Sequence, residues 1–330
     1  MYATLYTDVA LVSWDCQIAG LNAKGAWEAL SFGRPLLVQR ADGQWAGRLP
    51  MGSTPDDSLF SLLRAASEHP WRAIAAGGGL PAWGLSTSKG DPWAFTPARA
   101  ATAGPGHLGA RVARDLAIGV YVPCATAAAC STGLYALLAC ADRLADGTCE
   151  RGLAGAADGA LPAWLEAGFA RLGVLCGSTP PTAFDVDGRG TGFAAAPGAG
   201  VIALQRQSPQ RGHWQLTAGV RAGDAGHETH FVHPETLHTA LTALWEAAPH
   251  PELIVAHATG TSLGDAYELA GLNAGPWRTC PRLTLKPQIG HTLGASGAVE
   301  LAIALEAPIQ RLWKISLGFG GHLAAIAVSR

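Results

Sequence analysis

The chain has 330 residues, of which 48% are hydrophobic and 15% charged, with a formal net charge of −2. That length suits one large α/β unit or two halves of about 150 residues each, with ample material for a buried core. The near-neutral balance argues against nucleic acid or an anionic membrane as partner, and so little charge leaves surface for another subunit to cover.

Residues 4–20 read as a strand ending at Ala19-Gly20, and 25–34 as a helix and turn. The stripe of Leu59, Leu62, Leu63 and Ala66 predicts a helix over 57–69, started by Asp56 and Asp57 and stopped by Pro70. A turn and strand follow near 74–90, and 116–123 reads as a buried strand leading toward Cys130. Leu134, Leu137, Leu138 and Leu144 recur at helical spacing up to Gly147, and RGLAGAAD is a short buried strand. Residues 161–175 read as a helix, 178–200 as a long irregular connection and 201–206 as a strand. A helix is expected near 234–247, then strand–turn–helix twice over 252–306, and two closing strands about a glycine turn. Alternating strands and helices predict a layered α/β architecture whose two halves, 1–205 and 206–330, are an internal duplication without visible sequence identity.

Chemistry concentrates at three places. Cys130 lies where small residues give way to a helix, and a thiol in a first helical turn meets the positive end of the dipole, which favours thiolate. A buried free cysteine is also a common packing residue. His257 ends the strand LIVA and His291 ends LKPQIG, so each imidazole reaches the C-terminal edge of a sheet, where α/β proteins place chemistry. Lys286, read on a strand beside Pro287, is an odd charge for a buried sheet and needs a partner. His227, His230 and His233 form H-E-x-H and H-x-x-H spacings that lack the H-E-x-x-H helical pattern, so no metal is expected. The seven cysteines are odd in number and include no C-x-x-C, which speaks against disulfides or zinc and for a reducing cytoplasm. The N-terminus lacks the basic region of a signal peptide, and no apolar run reaches membrane-spanning length.

Taken together these segments resemble the β-ketoacyl synthases of fatty-acid and polyketide assembly. AAACSTGLYAL is similar to the family's nucleophile segment, and FDVDGRGTGFAAAPGAGV to its F-D-x-D-R-D-G-F-V-x-G-E-G-A-G region. AHATGTSLGD, LKPQIGHTLGASGAVEL and SLGFGGHLAAI are similar to its H-G-T-G-T, K-S-x-x-G-H and S-F-G-F-G-G motifs. The five stand in the family's order from 127 to 327; the N-terminal 110 residues match mainly at WGLSTSKGD.

The resemblance implies a thiolase-like fold, two pseudo-duplicated βαβαβ halves in α-β-α-β-α layers. It makes Cys130 the acyl-accepting nucleophile and His257 and His291 the pair acting on the extender, with Lys286 setting the electrostatics. Phe319 would give the second oxyanion-hole N–H and Phe193 would be a gate. It further implies decarboxylative Claisen condensation with a malonyl extender, with substrates on the phosphopantetheine of an acyl carrier protein and no other cofactor. The expected assembly is a homodimer, or a heterodimer with another ketosynthase-like subunit. Such chemistry needs a thioester-forming nucleophile and donors for an enolate and an oxyanion, which one thiol and two neutral imidazoles can supply.

There are departures. The G-E-G-A-G glutamate gives way to Ala196-Pro197-Gly198, two residues are inserted before Phe193, and the stretch between GAVEL and KISLGFGG is short. Two other readings therefore stand beside the first. One is a catalytically weak partner resembling a chain-length factor; the other is a thiolase-fold acyltransferase that makes no carbon–carbon bond.

Overall fold

The first strand, β1 (Thr4–Ile18), lies in the middle of a ten-stranded sheet and pairs on both sides. The structure, a computed structural model, describes residues 1–49, 54, 58–95, 103–184, 191–210 and 212–330. After β1 the chain turns at Ala19 and Gly20 into α1 (Ala23–Ser31), capped by the Asn22 side chain accepting from the Gly25 N–H. A separate hairpin of β2 (Leu37–Gln39) and β3 (Trp45–Gly47) comes next. Then come α2 (Ser58–Ile74), β4 (Ala82–Ser86), α3 (Pro105–Asp115) and β5 (Val122–Pro123). They are followed by α4 (Thr132–Ala145), β6 (Arg151–Asp158), α5 (Ala163–Arg171) and β7 (Gly198–Arg206). The second half begins with β8 (Trp214–Gly223), α6 (Glu235–Ala247), β9 (Leu253–Val255) and α7 (Ser262–Ala274). It ends with β10 (Arg282–Leu283), the one-turn α8 (Lys286–Ile289), α9 (Ser296–Ala304), β11 (Arg311–Gly318) and β12 (His322–Ser329).

The sheet order is β10-β9-β11-β12-β8-β1-β7-β6-β4-β5. From the central antiparallel β1–β8 pair, either direction runs through two further antiparallel pairings and then two parallel ones. That mirrored sequence of pairings is the internal duplication in topological form. The strands are apolar on both faces because both are covered. On β7, Ala199, Val201 and Ala203 meet α2 and α3, while Ile202 and Leu204 face the opposite core with Leu134 and Leu301. On β12, Ala324, Ile326 and Val328 join that same central core, and Leu323, Ala325 and Ala327 pack under α6. Helices α4 and α9 therefore sit between the two half-sheets, with α2 and α3 outside one and α6 and α7 outside the other. This is the expected α-β-α-β-α layering.

Close approach of α9 to β7 depends on Gly200, where an added Cβ would lie 2.3 Å from the Val299 nitrogen. Backbone cannot yield as a side-chain tip can. Gly200→Ala is expected to lower stability by about 3 kcal/mol or more, read as a fall in melting temperature or loss of soluble protein. A variant as stable as the parent would contradict the packing described.

Three sequence expectations are corrected. Helix α2 does not stop before Pro70 but runs through it to Ile74, since Pro70 and Ile74 are both buried; their burial offsets the one lost backbone hydrogen bond. Its expected starters Asp56 and Asp57 lie outside the described residues. The apolar run 116–123 is not a buried strand: only Val122 and Pro123 pair, at the sheet edge, and Val120 is 65% exposed. Residues 282–290 do not form one strand. β10 ends at Leu283, and Pro287, having no N–H for a ladder and φ preset near the helical value, sits in the first turn of α8.

Candidate active site

The duplication explains how distant segments meet. Cys130 lies between β5 and α4, and His291 lies between β10 and α9, at matching places in the two halves. The N-terminal ends of α4 and α9 come together because each helix sets a glycine against a residue of the other at the crossing. A Cβ on Gly133 would stand 2.9 Å from the Ala298 nitrogen, and one on Gly297 would stand 2.8 Å from Leu134 Cγ. The loop after β9 delivers His257 to the same place.

A cavity of about 240 Å³ is lined by Cys130, Phe193, His257, His291 and Phe319 together. Five of the six residues to which the family resemblance gives a role share this wall. The sixth, Lys286, is buried behind it, its Nζ 3.3 Å from His257 Nδ1 and donating to the His257 carbonyl. The imidazole rings of His257 and His291 are near perpendicular with centroids 5.6 Å apart. His291 Nδ1 is 2.7 Å from Ser296 Oγ, and the Phe193 ring stands edge-on to the imidazole at 4.7 Å. Phe193 and Leu293 also line a second cavity of about 170 Å³ that continues toward Trp45 and Leu161. They are the partition between the two spaces. The His227 and His230 rings are tilted by 31° with centroids 3.9 Å apart, and His230 lies at the cavity wall beside Thr229.

The helix that Cys130 introduces starts at Thr132, so the thiol lies just ahead of the first turn. Contrary to the thiolate expectation, burial pushes its pKa up to about 11, opposed by Lys286, Lys89 and the Phe319 N–H. Desolvation of an anion outweighs a half-charge of dipole that begins two residues further on. At neutral pH the resting group is a thiol. Alkylation of Cys130 by iodoacetamide should therefore be slow at pH 7 and accelerate about tenfold per pH unit up to about pH 11. Fast labelling independent of pH would contradict this.

Both imidazoles are held neutral. Burial and then the Lys286 ammonium drive His257 and His291 well below the ordinary histidine range. A lysine ammonium can only donate, so His257 Nδ1 is the acceptor and the ring proton is on Nε2, free to be offered to a bound oxygen.

The partner that Lys286 requires is Glu300 on α9, which contacts it at 2.6 Å through Oε1 and contacts Lys314 of β11 at 2.6 Å through Oε2. Glu268 of α7 accepts the N–H groups of His257 and Ala258 at 2.6 and 2.7 Å, and burial raises its pKa to about 7. Asp158, at the end of β6, pairs with Lys89 at 2.6 Å and accepts the Gly294 N–H, tying the loop after His291 to the first half. None of these five was singled out in the sequence. A visible signal did exist for two: Glu300 and Lys314 are lone charges in otherwise apolar runs.

A layered α/β fold with a thiol and two imidazoles gathered on one cavity defines a protein of the thiolase-like fold class. Solved structures agree in fold. The ishigamide ketosynthase/chain length factor superposes with a TM-score of 0.80 at 20% identity, over 98% of this chain and 99% of that one. A β-ketoacyl synthase from Burkholderia phymatum superposes with a TM-score of 0.79 at 19% identity, over 98% and 99%. Residues 93–210 match the family described as "Beta-ketoacyl synthase, N-terminal domain" and residues 216–317 its C-terminal domain. The chain belongs to the β-ketoacyl synthase family.

Among relatives, polyketide synthase ThaG of Burkholderia thailandensis is 35% identical over 54% of this chain, a stretch that is 3% of that protein. The mitochondrial 3-oxoacyl-[acyl-carrier-protein] synthase of Arabidopsis thaliana is 30% identical over 55% of this chain and 43% of its own length. The match thus spans less than half of either relative. No helix among the described residues is long and apolar enough to cross a membrane.

Proposed function

We propose that this chain catalyses decarboxylative Claisen condensation between an acyl thioester and a malonyl-type extender on a carrier protein. The observation that supports it most is the gathering of one thiol and two neutral imidazoles on a single cavity. In the first half-reaction the Cys130 sulfur attacks the acyl carbonyl and its proton passes to the departing carrier sulfur, which leaves as the thiol, so that acyl-Cys130 remains. In the second, the extender loses CO₂, and the Nε2–H groups of His257 and His291 stabilise the resulting enolate oxygen. The enolate carbon attacks the acyl-Cys130 carbonyl; the tetrahedral oxyanion is placed at the N–H groups of Cys130 and Phe319. Collapse expels the Cys130 thiolate, which takes up one proton from solvent, the proton that decarboxylation of the extender carboxylate consumes overall. No electron acceptor or metal enters this balance. Phe193 and Leu293 are assigned as the gate through which the growing acyl chain reaches the second cavity.

Incubation with an acyl-carrier and a malonyl-carrier thioester should release CO₂ and yield a β-ketoacyl carrier two carbons longer than the acyl donor. Acylation of Cys130 without either product would leave only acyl transfer.

A second reading, a partner subunit that shapes the product of another ketosynthase, is favoured by Ala196. It packs where added Cβ atoms on Gly47 and Gly290 would lie 2.2 and 2.6 Å from its own. The hairpin thus closes over the site of the family's G-E-G-A-G segment. A solved ketosynthase, ApeO of Xenorhabdus doucetiae, is in complex with its chain length factor ApeC. If this chain acts only as such a partner, Cys130→Ala leaves the rate of the complex unchanged.

A further inference from the structure

Glu300, Lys286 and Lys314 are each fully buried, and one carboxylate is shared between two ammonium groups. A single lysine–glutamate pair would cancel. Here Glu300 is divided, so the ammonium beside His257 is only partly compensated. Lys314 does more than balance charge: its Nζ also donates to the Ala256 carbonyl at 3.2 Å and to that of Ile315 at 2.7 Å. Ala256 directly precedes His257, and β9 pairs with β11 at Val255 and Lys314. One side chain therefore joins α9, β11 and the strand end that carries the imidazole.

We propose that Lys314 is a positioning residue of the condensing site. It holds Glu300 and the end of β9 so that Lys286 stays an incompletely neutralised ammonium against His257 Nδ1. The inference rests on the condensing reading above. Its consequence is a working pH range reaching further toward acid than a single lysine would allow.

The charged and titratable groups around the histidine pair are Lys286 from α8, Lys314 from β11 and His291 acting on His257, Glu268 from α7 accepting the His257 N–H, Glu300 from α9 on both lysines, and Lys89 acting on His291. Three of them act on His257 as cations or as a second imidazole, and Lys314 is one of these, disfavouring imidazolium on His291 as well. Lys314 itself, lowered by burial to about 8 and supported by Glu300, is charged through the acidic range where the histidines titrate. Removing its charge therefore makes both imidazoles easier to protonate, and the acid limb of activity moves to higher pH.

The test follows protonation of His257 and His291 by NMR of ¹⁵N-histidine-labelled full-length protein, in the parent, Lys314→Met, Lys314→Arg and Glu300→Gln. The same proteins are assayed for CO₂ release from a malonyl-carrier thioester across pH. Lys314→Met should shift His257 protonation and the acid limb upward and lower kcat about tenfold with KM unchanged. Lys314→Arg should restore the parent profile. Glu300→Gln, which keeps both cations, should move the acid limb the other way, and it decides the matter if Lys314→Met does not fold. A lowered melting temperature with parental histidine titration and pH profile would overturn the proposal and make Lys314 merely structural. If the parent releases no CO₂, the condensing reading fails, while the NMR titration still decides the role of Lys314.

Discussion

Cys130→Ala should abolish covalent acyl loading and reduce condensation at least 10³-fold, while the protein stays folded. The magnitude follows from what is removed: the nucleophile itself, not one stabilising contact among several. Folding should be spared because Cys130 lies at a cavity wall in a loop ahead of α4; the buried leucines of that helix are untouched. Removing one sulfur at a cavity wall costs about 1 kcal/mol. Intact-mass analysis after exposure to an acyl thioester reads the loading, and circular dichroism reads the fold. A variant that condenses at the parental rate would move the chemistry to another subunit.

The second large effect is expected at the histidines, and it should separate the two half-reactions. His257→Ala and His291→Ala each remove one donor to the extender's enolate. Each loss should cost about 3 kcal/mol of barrier, or 10²–10³ in the rate of decarboxylation. Acyl transfer to Cys130 should fall far less, because the thiol and the Phe319 N–H remain. His257→Ala also vacates the contact with Lys286, whose ammonium then keeps Glu300 and the residue-257 backbone carbonyl. His291→Ala empties the space against Phe193 and leaves the Ser296 hydroxyl with Thr292 Oγ1 at 3.3 Å. Single-turnover measurements of acylation and of CO₂ release separate the effects. Equal losses in both steps would place the imidazoles in acyl transfer rather than at the enolate.

What could be read from the chain before folding was what local pattern carries. Cys130, His257 and His291 each sit in a short run of small residues between a strand and a helix, and such runs have a recognisable spacing. The duplication was legible as repeated order. Side-chain partners were not, because they join segments far apart: Lys286 pairs across to α9, and Glu300 pairs onward to β11. The lysine's need for a counter-ion was clear; the identity of the counter-ion was a tertiary fact. The thiol's acidity departs from what its sequence position implies for a related reason. Dipole direction follows from sequence position, whereas desolvation depends on what the rest of the fold closes over Cys130. Pro70 and the run 116–123 failed in opposite senses. Burial carried α2 through a residue that ordinarily ends a helix, and the lack of a second neighbour at the sheet edge left an apolar run largely unpaired.

The proposed condensation requires Cys130 to carry the acyl group during turnover. Purified protein incubated with acyl-carrier thioesters and quenched in acid should gain the mass of one acyl group. Peptide mapping should place that mass on Cys130 alone, and addition of malonyl-carrier thioester should discharge it. A protein that gains no acyl mass from any donor, or gains it at another residue while Cys130 stays free, would contradict the account.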